Sequence, residues 1–252
     1  MDFLTTESGK KLSYILTLSQ HKSPYLLIII HGTCSSKDSL FLPYLSDNST
    51  YNTLRFDFPG NGDSGGEFEF GGFEKEVSII HSVVLWAKSH GYKPLALIGH
   101  SKAGNEVLMY SAKYGDVPLI ISIAGRLDMN VIPAFIQPVM NSIEAEGQAT
   151  IELLGREYNI TKAGVDERKA INMTRILAAV RNWVCAIHGD IDPWTNIEDA
   201  EGISRLLGRR CFELDVIQGA DHSFTNCEAE LLQNIENFLA KAVPLLQLTH
   251  KI

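Results

Sequence analysis

The stretch LALIGHSKAGNEVLMYSA, residues 95–112, contains the change of pattern that decides the fold. Its first part is an apolar run typical of a buried strand, and its second part, from Ala103 onward, has the spacing of an amphipathic helix. Ser101 lies at the boundary, between Gly99 and Gly104. Small residues suit this place because the backbones of a strand and of the following helix come close together at a sharp turn. The pattern therefore predicts a turn that presents the hydroxyl of Ser101 at the start of the helix.

Ser101 has two interpretations in this position. A serine at the start of a helix often caps the free backbone N–H groups and has no further role. A nucleophile is also well placed there, because those N–H groups and the helix dipole favour negative charge. The match to the pattern G-x-S-x-G is incomplete, since Ala103 stands in place of the last glycine. A nucleophilic serine needs a base and an acid, so the rest of the chain must decide.

An acid and a histidine follow two later strands. The segment WVCAIHG, residues 183–189, precedes DIDPWT, and the segment CFELDVI, residues 211–217, precedes QGADHSF. The carboxyl ends of parallel strands meet at one edge of a sheet, so these loops are expected beside the serine. We predict Asp192 as the acid, with Asp190 as the second choice, and His222 as the base. Alone, His222 would be interpreted as a surface-loop histidine, but the order serine, aspartate, histidine favours a catalytic triad.

Short apolar segments alternate with helical segments along most of the chain. The predicted strands cover residues 11–18, 25–31, 53–57, 95–99, 118–124, 183–188 and 211–216. The predicted helices cover residues 74–89, 103–114, 197–207 and 228–243. Because strands that alternate with helices usually form parallel sheets covered on both faces, we expect an α/β fold.

Residues 128–181 interrupt this alternation. They show no clear strand, and the stretch MNVIPAFIQPVMNSIEAEGQA, residues 129–149, combines apolar residues with two prolines. We interpret the segment as an insertion that packs on the main domain. Two roles are open to its apolar side chains: they line an acyl pocket, or they hold the insertion on the core. We name Phe135, Ile136 and Met140 as the substrate-binding candidates for the first role.

The composition is that of an ordinary globular protein without a basic surface. Of the 252 residues, 45% are hydrophobic and 21% are charged, and the formal net charge is −8. This acidic balance speaks against a nucleic-acid partner and, more weakly, against stable binding to an anionic membrane surface. The longest apolar run, residues 25–30, is far too short to cross a membrane. The first residues show no secretion signal, which leads us to expect a cytoplasmic protein.

The cysteines and histidines suggest neither disulfides nor a metal. The four cysteines are Cys34, Cys185, Cys211 and Cys227. They have no paired spacing such as C-x-x-C, so reduced thiols are expected. No metal-ligand spacing connects the histidines at the predicted strand ends, which are His31, His100 and His188.

Five segments together resemble the α/β-hydrolase superfamily over nearly the whole chain. They are IIIHGTCSS (28–36), RFDFPGNGDSGG (55–66), GHSKAG (99–104), HGDIDPWT (188–195) and GADHSF (219–224). Within the superfamily, DFPGNGDSGGEFEF (57–70) is similar to the loop of cinnamoyl or feruloyl esterase-like and serine-aminopeptidase-like hydrolases. The resemblance implies one α/β-hydrolase domain over residues 1–252, with residues 128–181 as a lid inserted between the sixth and seventh core strands.

The resemblance also implies a mechanism and the groups that carry it. In such hydrolases the serine attacks an ester-like carbonyl, and two backbone N–H groups, here those of Thr33 and Lys102, stabilise the oxyanion. His222 takes the proton of Ser101, Asp192 orients His222, and water then releases the acid from the acyl-enzyme without a cofactor. The predicted substrate is a carboxylic ester of small to medium size. Thioester or short-peptide hydrolysis, acyl transfer, and ligand binding by a receptor of the same fold are the alternatives.

Overall fold

The computed structural model describes residues 2–6, 9–21, 23–153 and 155–249. In these ranges, ten strands form a sheet of eight strands and a sheet of two. The spatial order of the large sheet is β1-β2-β4-β3-β5-β6-β9-β10. The strands are β1 (Asp2–Thr5), β2 (Lys11–Thr17), β3 (Tyr25–Ile30), β4 (Asn52–Phe56), β5 (Lys93–His100), β6 (Leu119–Ile123), β7 (Gln148–Leu153), β8 (Arg156–Thr161), β9 (Trp183–Gly189) and β10 (Cys211–Ile217).

The large sheet is parallel from β4 to β10 and antiparallel at its other edge. Strand β3 pairs in parallel with β4 and β5, and parallel pairing continues through β6 and β9 to β10. Strand β2 joins β4 in antiparallel orientation, and β1 joins β2 in the same way. The loops that follow the parallel strands therefore all leave from the same edge of the sheet.

Helices cover both faces of this sheet. They are α1 (Leu42–Asn48), α2 (Phe73–Ser89), α3 (Lys102–Lys113), α4 (Met140–Glu146), α5 (Lys162–Lys169), α6 (Met173–Ala178), α7 (Ile197–Leu207) and α8 (Glu228–Thr249). Side chains alternate across each strand, so Ile28 of β3 packs in a cluster with α2, α3, α6 and α7, while Leu27 packs in one with α1 and α8. The predicted α/β class, with helices on both faces, is confirmed. Among the residues that the structure describes, no helix has the length and apolar character that a membrane span requires.

All seven predicted strands are present, and their ends differ from the prediction by at most two residues. Continuous apolar runs such as YLLIII, residues 25–30, give this signal because such strands are buried on both faces. Strand β1 was not predicted, since three of its four residues are exposed at the edge of the sheet. Helix α8 extends beyond its predicted end at Val243 and continues through Pro244.

The expectation that residues 128–181 contain no strand is wrong. Strands β7 and β8 form an antiparallel pair within this insertion, which also contains α4, α5 and α6. Only one side of the pair is buried: in β7 Ile151 is buried, whereas Thr150 and Glu152 are exposed. A short strand with polar residues on one side gives a weaker signal than the apolar runs of the large sheet.

The insertion packs against the loops of the large sheet. It follows β6 and leads into β9, which are the sixth and seventh strands of that sheet in chain order. Buried isoleucines of the insertion pack with Cys34, after β3, and Phe70, after β4. Glu167 of α5 also accepts a hydrogen bond from the backbone N–H of Gly72, at 3.1 Å. These contacts place the insertion at the edge where the loops after the parallel strands meet.

Candidate active site

Ser101 occupies a sharp turn between β5 and α3. Its backbone has φ 56° and ψ −116°, a region that residues with a side chain rarely adopt. The backbone N–H of Ser101 donates a hydrogen bond to the carbonyl oxygen of Ile123, at the end of β6, over 2.8 Å. The neighbouring strand and the helix thus hold Ser101 in a strained conformation, as at many functional sites.

Two glycines allow the strand and the helix to meet this closely. A Cβ atom on Gly99 would lie 2.1 Å from the carbonyl oxygen of Ala103. A Cβ atom on Gly104 would lie 2.9 Å from the carbonyl oxygen of Ile123. Both distances are shorter than real contacts, so neither position has room for a side chain. The small residues on which the sequence prediction depends are therefore required by the geometry of the turn.

The structure brings Ser101, His222 and Asp192 together in one hydrogen-bonded chain. The Nε2 atom of His222 lies 3.0 Å from the hydroxyl oxygen of Ser101. The Nδ1 atom of His222 lies 2.7 Å from Oδ2 of Asp192. The three side chains come from the loops after β5, β10 and β9, respectively. This is the arrangement in which a histidine can take a proton from a serine hydroxyl.

Asp192 is buried and held as a carboxylate. Its Oδ1 atom accepts hydrogen bonds from the backbone N–H groups of Trp194, at 2.8 Å, and Thr195, at 3.0 Å. Burial by itself would raise the pKa of Asp192, but the hydrogen bonds from His222 and from these two N–H groups outweigh it and lower that pKa. An ionised Asp192 favours the His222 tautomer with the proton on Nδ1, which leaves Nε2 able to accept a proton.

Asp190, the second choice for the acid, has other contacts. Its carboxylate accepts a hydrogen bond from the backbone N–H of Gly219 over 2.5 Å. This bond joins the loop after β9 to the loop after β10. In the structure, Asp192 is therefore the aspartate that hydrogen-bonds to His222, whereas Asp190 connects the two loops to each other.

The other strand-end histidines bond to the backbone. Nε2 of His100 lies 2.9 Å from the carbonyl oxygen of His222. Nε2 of His188 lies 2.8 Å from the carbonyl oxygen of Thr195. Nε2 of His31 accepts a hydrogen bond from the backbone N–H of Phe58. Burial, and after it the charge of His222, lowers the pKa of His100 to about 3. A neutral His100 thus donates its Nε2–H to the loop that carries His222.

In the described part of the chain, no group of three or more His, Cys, Asp or Glu side chains is placed to hold a metal ion.

Thr33 and Lys102 lie beside Ser101 on the wall of one cavity. Lys102 is the first residue of α3, so its backbone N–H belongs to the free donors of a helix N-terminus. A Cβ atom on Gly32 would lie 3.0 Å from the Cβ of Ser101, so the loop that carries Thr33 touches the serine. The Nζ atom of Lys102 lies 2.7 Å from a carboxylate oxygen of Glu76, which balances its charge.

The cavity opens above Ser101 and His222. Its empty volume, including the mouth, is about 930 Å³. The ring of Trp194 lies 4.9 Å from the ring of His222 and 5.9 Å from the ring of Phe135, measured between centroids. Trp194 thus connects the histidine to the insertion along one side of the cavity.

The structure places only one of the three predicted substrate-binding side chains on the described wall of this cavity. Phe135 lines it, together with Met129. Ile136 is fully buried in the apolar cluster of the insertion, and Met140 packs against the same cluster. Neither Ile136 nor Met140 lies on the described cavity wall, so the structure favours for these two the alternative role of holding the insertion on the core.

The residues of the cavity wall that were not predicted include Trp194, Arg126 and Arg168. The sequence position of Trp194 was informative, because Trp194 follows the predicted acid Asp192 by two positions and so belongs to the same loop beside the predicted base His222. The arginines carry no motif. Arg168 also belongs to the insertion, whose path over the sheet is not determined by its sequence pattern.

Comparisons with known proteins agree with this architecture. Est1E from Butyrivibrio proteoclasticus, solved with bound ferulic acid, has a TM-score of 0.77 at 19% identity, over 97% of this chain and 100% of that one. The esterase domain of a Rhodothermus marinus protein has a TM-score of 0.70 at 22% identity, over 95% and 97%. The esterase Pf2001 from Pyrococcus furiosus has a TM-score of 0.73 at 18% identity, over 95% and 89%. At these identities the likeness shows the fold.

The family of this chain is identified from its sequence. A search among curated proteins found no match. The sequence profile of the α/β hydrolase fold matches residues 25–155, which is just over half of the 252 residues and includes the turn at Ser101. The chain therefore belongs to the α/β hydrolase fold family.

Proposed function

We propose that this protein is a serine hydrolase that cleaves carboxylic esters of small to medium size through an acyl-enzyme. The observation that carries the proposal is the hydrogen-bonded chain from Asp192 through His222 to Ser101 at the base of a cavity. The names of the similar structures point to the same chemistry, since two of them are named as esterases and the third, Est1E, holds ferulic acid.

Acylation begins with the proton of Ser101. Nε2 of His222 accepts this proton while the serine oxygen attacks the ester carbonyl carbon. The carboxylate of Asp192 stabilises the imidazolium that forms. The negative charge on the carbonyl oxygen is received by the backbone N–H groups of Thr33 and Lys102. His222 then gives the proton to the alcohol oxygen, and the alcohol leaves while the acyl group stays on Ser101.

Deacylation uses the same groups with water as the nucleophile. His222 takes a proton from a water molecule, and the resulting oxygen nucleophile attacks the acyl carbon. The second oxyanion is held by the same two backbone N–H groups. The proton passes from His222 to the oxygen of Ser101, and the free acid leaves.

Residues 128–181 act as a lid in this proposal. Phe135 and Met129 face the cavity, while the buried cluster around Ile136 fastens the segment to the loops of the sheet. All the groups that move protons or hold the oxyanion lie outside the lid. The lid thus sets which acyl or alcohol groups fit, and the loops of the sheet perform the chemistry.

A panel of 4-nitrophenyl esters with acyl chains of graded length tests the proposal. The wild type should release both 4-nitrophenol and the free acid, and a fluorophosphonate probe should label it. Ser101→Ala should lose both activities while its unfolding curve stays close to that of the wild type. Equal labelling of the variant would falsify the assignment of the nucleophile. Transfer of the acyl group to an added alcohol, without free acid, would indicate an acyltransferase, and a tightly bound ester that stays intact would indicate a receptor.

A further inference from the structure

The cavity wall carries basic side chains without acidic ones. Among the described residues that line it, Lys102, Arg126 and Arg168 are basic, and none is Asp or Glu. The chain as a whole has a formal net charge of −8. The positive character of the cavity is therefore local and opposite in sign to the rest of the molecule, and such a cleft raises the local concentration of anions.

The two arginines of the cavity wall differ from Lys102, because neither has a carboxylate of the described residues within ion-pair distance. Lys102 is balanced, since its Nζ lies 2.7 Å from Glu76 and 3.8 Å from Glu106. Within the described ranges, Arg55 is the only arginine that forms an ion pair. Arg126 and Arg168 thus face the cavity without a carboxylate in contact with them.

Each of the two guanidinium groups donates one hydrogen bond to a backbone carbonyl. Arg126 bonds to the carbonyl of Trp194, and Arg168 bonds to that of Met129. A guanidinium has five N–H donors, so most of them are left for a ligand. Arg168 is only 5% exposed, and a buried charge with one neutral partner is unfavourable. Burial, and after it the charge of Arg126, lowers the pKa of Arg168 to about 10, so it is still charged at neutral pH.

Two acidic groups, Asp128 and Asp199, attract the charge of Arg168 without contacting it, and both accept hydrogen bonds from other groups. Asp199 accepts hydrogen bonds from the N–H groups of Leu127, at 2.7 Å, and Asp128, at 3.3 Å. Asp128 accepts two hydrogen bonds from Asn130, at 2.9 and 3.0 Å. Neither carboxylate lines the cavity, so neither takes the place of a ligand there.

Arg126 is fixed relative to the reacting serine. Its backbone N–H donates to the side-chain oxygen of Asn105 over 3.0 Å, and its carbonyl accepts from the side-chain nitrogen of Asn105 over 2.6 Å. Asn105 lies one turn after Ser101 on α3. The position of Arg126 is thus set by the same helix that begins at the serine, whereas Arg168 comes from α5 in the insertion.

We propose that the natural substrate is an ester that also carries an anionic group, a carboxylate or a phosphate, which Arg126 and Arg168 bind while the ester lies at Ser101. Oxyanions of this kind match the planar donors of guanidinium groups. The anion would supply the contacting ion-pair partner that the two guanidinium groups lack. Trp194 and Phe135 line the same cavity as the arginines and fit an apolar or aromatic body between the two polar ends. The inference rests on the proposed hydrolase function and names its substrate class.

Matched esters with and without an anion test the inference. Phenyl acetate is compared with 3-acetoxybenzoate and with 3-acetoxyphenyl phosphate, which place a carboxylate or a phosphate on the alcohol side. 4-Nitrophenyl hexanoate is compared with mono-4-nitrophenyl adipate, which places a carboxylate on the acyl side. The readout is the ratio of kcat/KM for the anionic ester to that for its neutral match. We expect a ratio of about ten or more in the wild type for at least one pair, given the strength of hydrogen bonds to charged groups.

Variants that remove one positive charge each show which arginine causes the preference for anionic esters. Arg168→Gln and Arg126→Gln should each lower this ratio by about tenfold, and Arg168→Lys should keep part of it. Arg175→Gln is the control, because it removes one exposed positive charge on α6, outside the cavity wall, and should leave the ratio unchanged. Arg126 is only half-buried, so its variant decides the matter if Arg168→Gln does not fold.

Two results would overturn the inference. One is a ratio of one or less for every pair in the wild type. The other is a lower melting temperature in the glutamine variants with an unchanged ratio, which would show that the guanidinium groups only brace backbone carbonyls.

A binding experiment separates this inference from the hydrolase proposal. Adipate and inorganic phosphate are titrated calorimetrically into Ser101→Ala, which needs no turnover. Binding of either anion that is lost on adding Arg168→Gln or Arg126→Gln supports the anion site, even if no ester is hydrolysed and no fluorophosphonate labelling occurs. Absence of binding by both anions would contradict the site, even if neutral esters are hydrolysed.

Discussion

Asp190 and Asp192 show how far a single residue can be assigned from its neighbours in the sequence. The pattern of strands places both on the loop after β9, at the edge of the sheet where the serine and the histidine lie. Which of them turns toward His222 depends on the path of the loop. In the structure Asp192 bonds to His222 and to two backbone N–H groups, while Asp190 bonds to Gly219.

Asparagine substitutions at these two positions should have very different effects. If the proposed mechanism holds, Asp192→Asn removes the carboxylate that fixes the His222 tautomer and stabilises its cation, so kcat should fall by roughly ten-thousand-fold, as in serine hydrolases that lose the triad acid. Asp190→Asn should keep most of the activity, because its contact is with the backbone of a loop. Steady-state kinetics on one 4-nitrophenyl ester compare the two. A larger loss at Asp190 would show that the acid is misassigned.

Among the strands and helices, those that are buried on both faces were the easiest to predict from the sequence. Strands buried on both faces, such as β3, are continuous apolar runs and were predicted to within one residue. The hairpin β7–β8 packs one side on a small cluster, and its pattern was missed. The same limit applies to Phe135 and Ile136, which have similar side chains in the sequence but face the cavity and the buried cluster, respectively.

Alanine substitutions at this pair should separate selectivity from stability. Phe135→Ala should change the relative kcat/KM among acyl chains by the equivalent of about 1–3 kcal/mol, because it alters the wall of the cavity. Ile136→Ala should lower the free energy of unfolding by about 2–5 kcal/mol, because it leaves a cavity in a buried cluster, and should keep the chain-length profile. Unfolding in urea and the ester panel are measured on both. A profile that shifts only in Ile136→Ala would reverse the two roles.

The turn between β5 and α3 should not tolerate even one added methyl group. Gly99→Ala would place a Cβ 2.1 Å from a backbone oxygen that cannot move without shifting α3. We expect the free energy of unfolding to fall by about 3 kcal/mol or more, at the upper end of overpacking effects. Gly65→Ala is the matched control, since its Cβ would meet nothing within 4 Å. Similar stability of the two variants in urea would refute this account of the turn.

For the whole molecule, the class of fold was predictable but the spatial arrangement was not. Alternation of strands and helices implies a parallel sheet, and the resemblance to hydrolases implies the edge at which Ser101 lies. The order of the strands, with β4 and β3 exchanged relative to the chain, has no counterpart in the pattern of residues. The arginines of the cavity depend on that arrangement as well, because Arg126 and Arg168 come from segments 42 positions apart.

The buried neutral histidine His100 should make the stability of the whole molecule depend on pH. Its pKa is lowered to about 3 in the folded protein, whereas an unfolded chain has a histidine pKa of about 6.5. Below pH 6.5 the unfolded state binds a proton that the folded state does not. The free energy of unfolding should therefore fall as the pH drops from 6.5 toward 3, by up to about 1.4 kcal/mol per pH unit for this one group.

Urea unfolding between pH 4.5 and 7 tests this in the wild type and in His100→Gln. Glutamine keeps an N–H donor for the carbonyl of His222 but does not titrate. The variant should show a smaller slope, and the difference should approach about 1.4 kcal/mol per pH unit at the acidic end of this range. This range lies above the pH at which the lowered pKa of Asp192 would contribute. Equal slopes would mean that His100 takes up a proton in the folded state.

Helix α6 has a consequence for how this protein can be altered. It lies at the end of the insertion and packs Met173 and Leu177 into the core beside α3 and α7, directly before β9. It thus serves as the crossover connection that joins the parallel strands β6 and β9, independently of β7 and β8. We therefore expect residues 130–169 to be exchangeable. A segment of different length grafted between Met129 and Ala170 should leave the large sheet intact and change the entrance of the cavity.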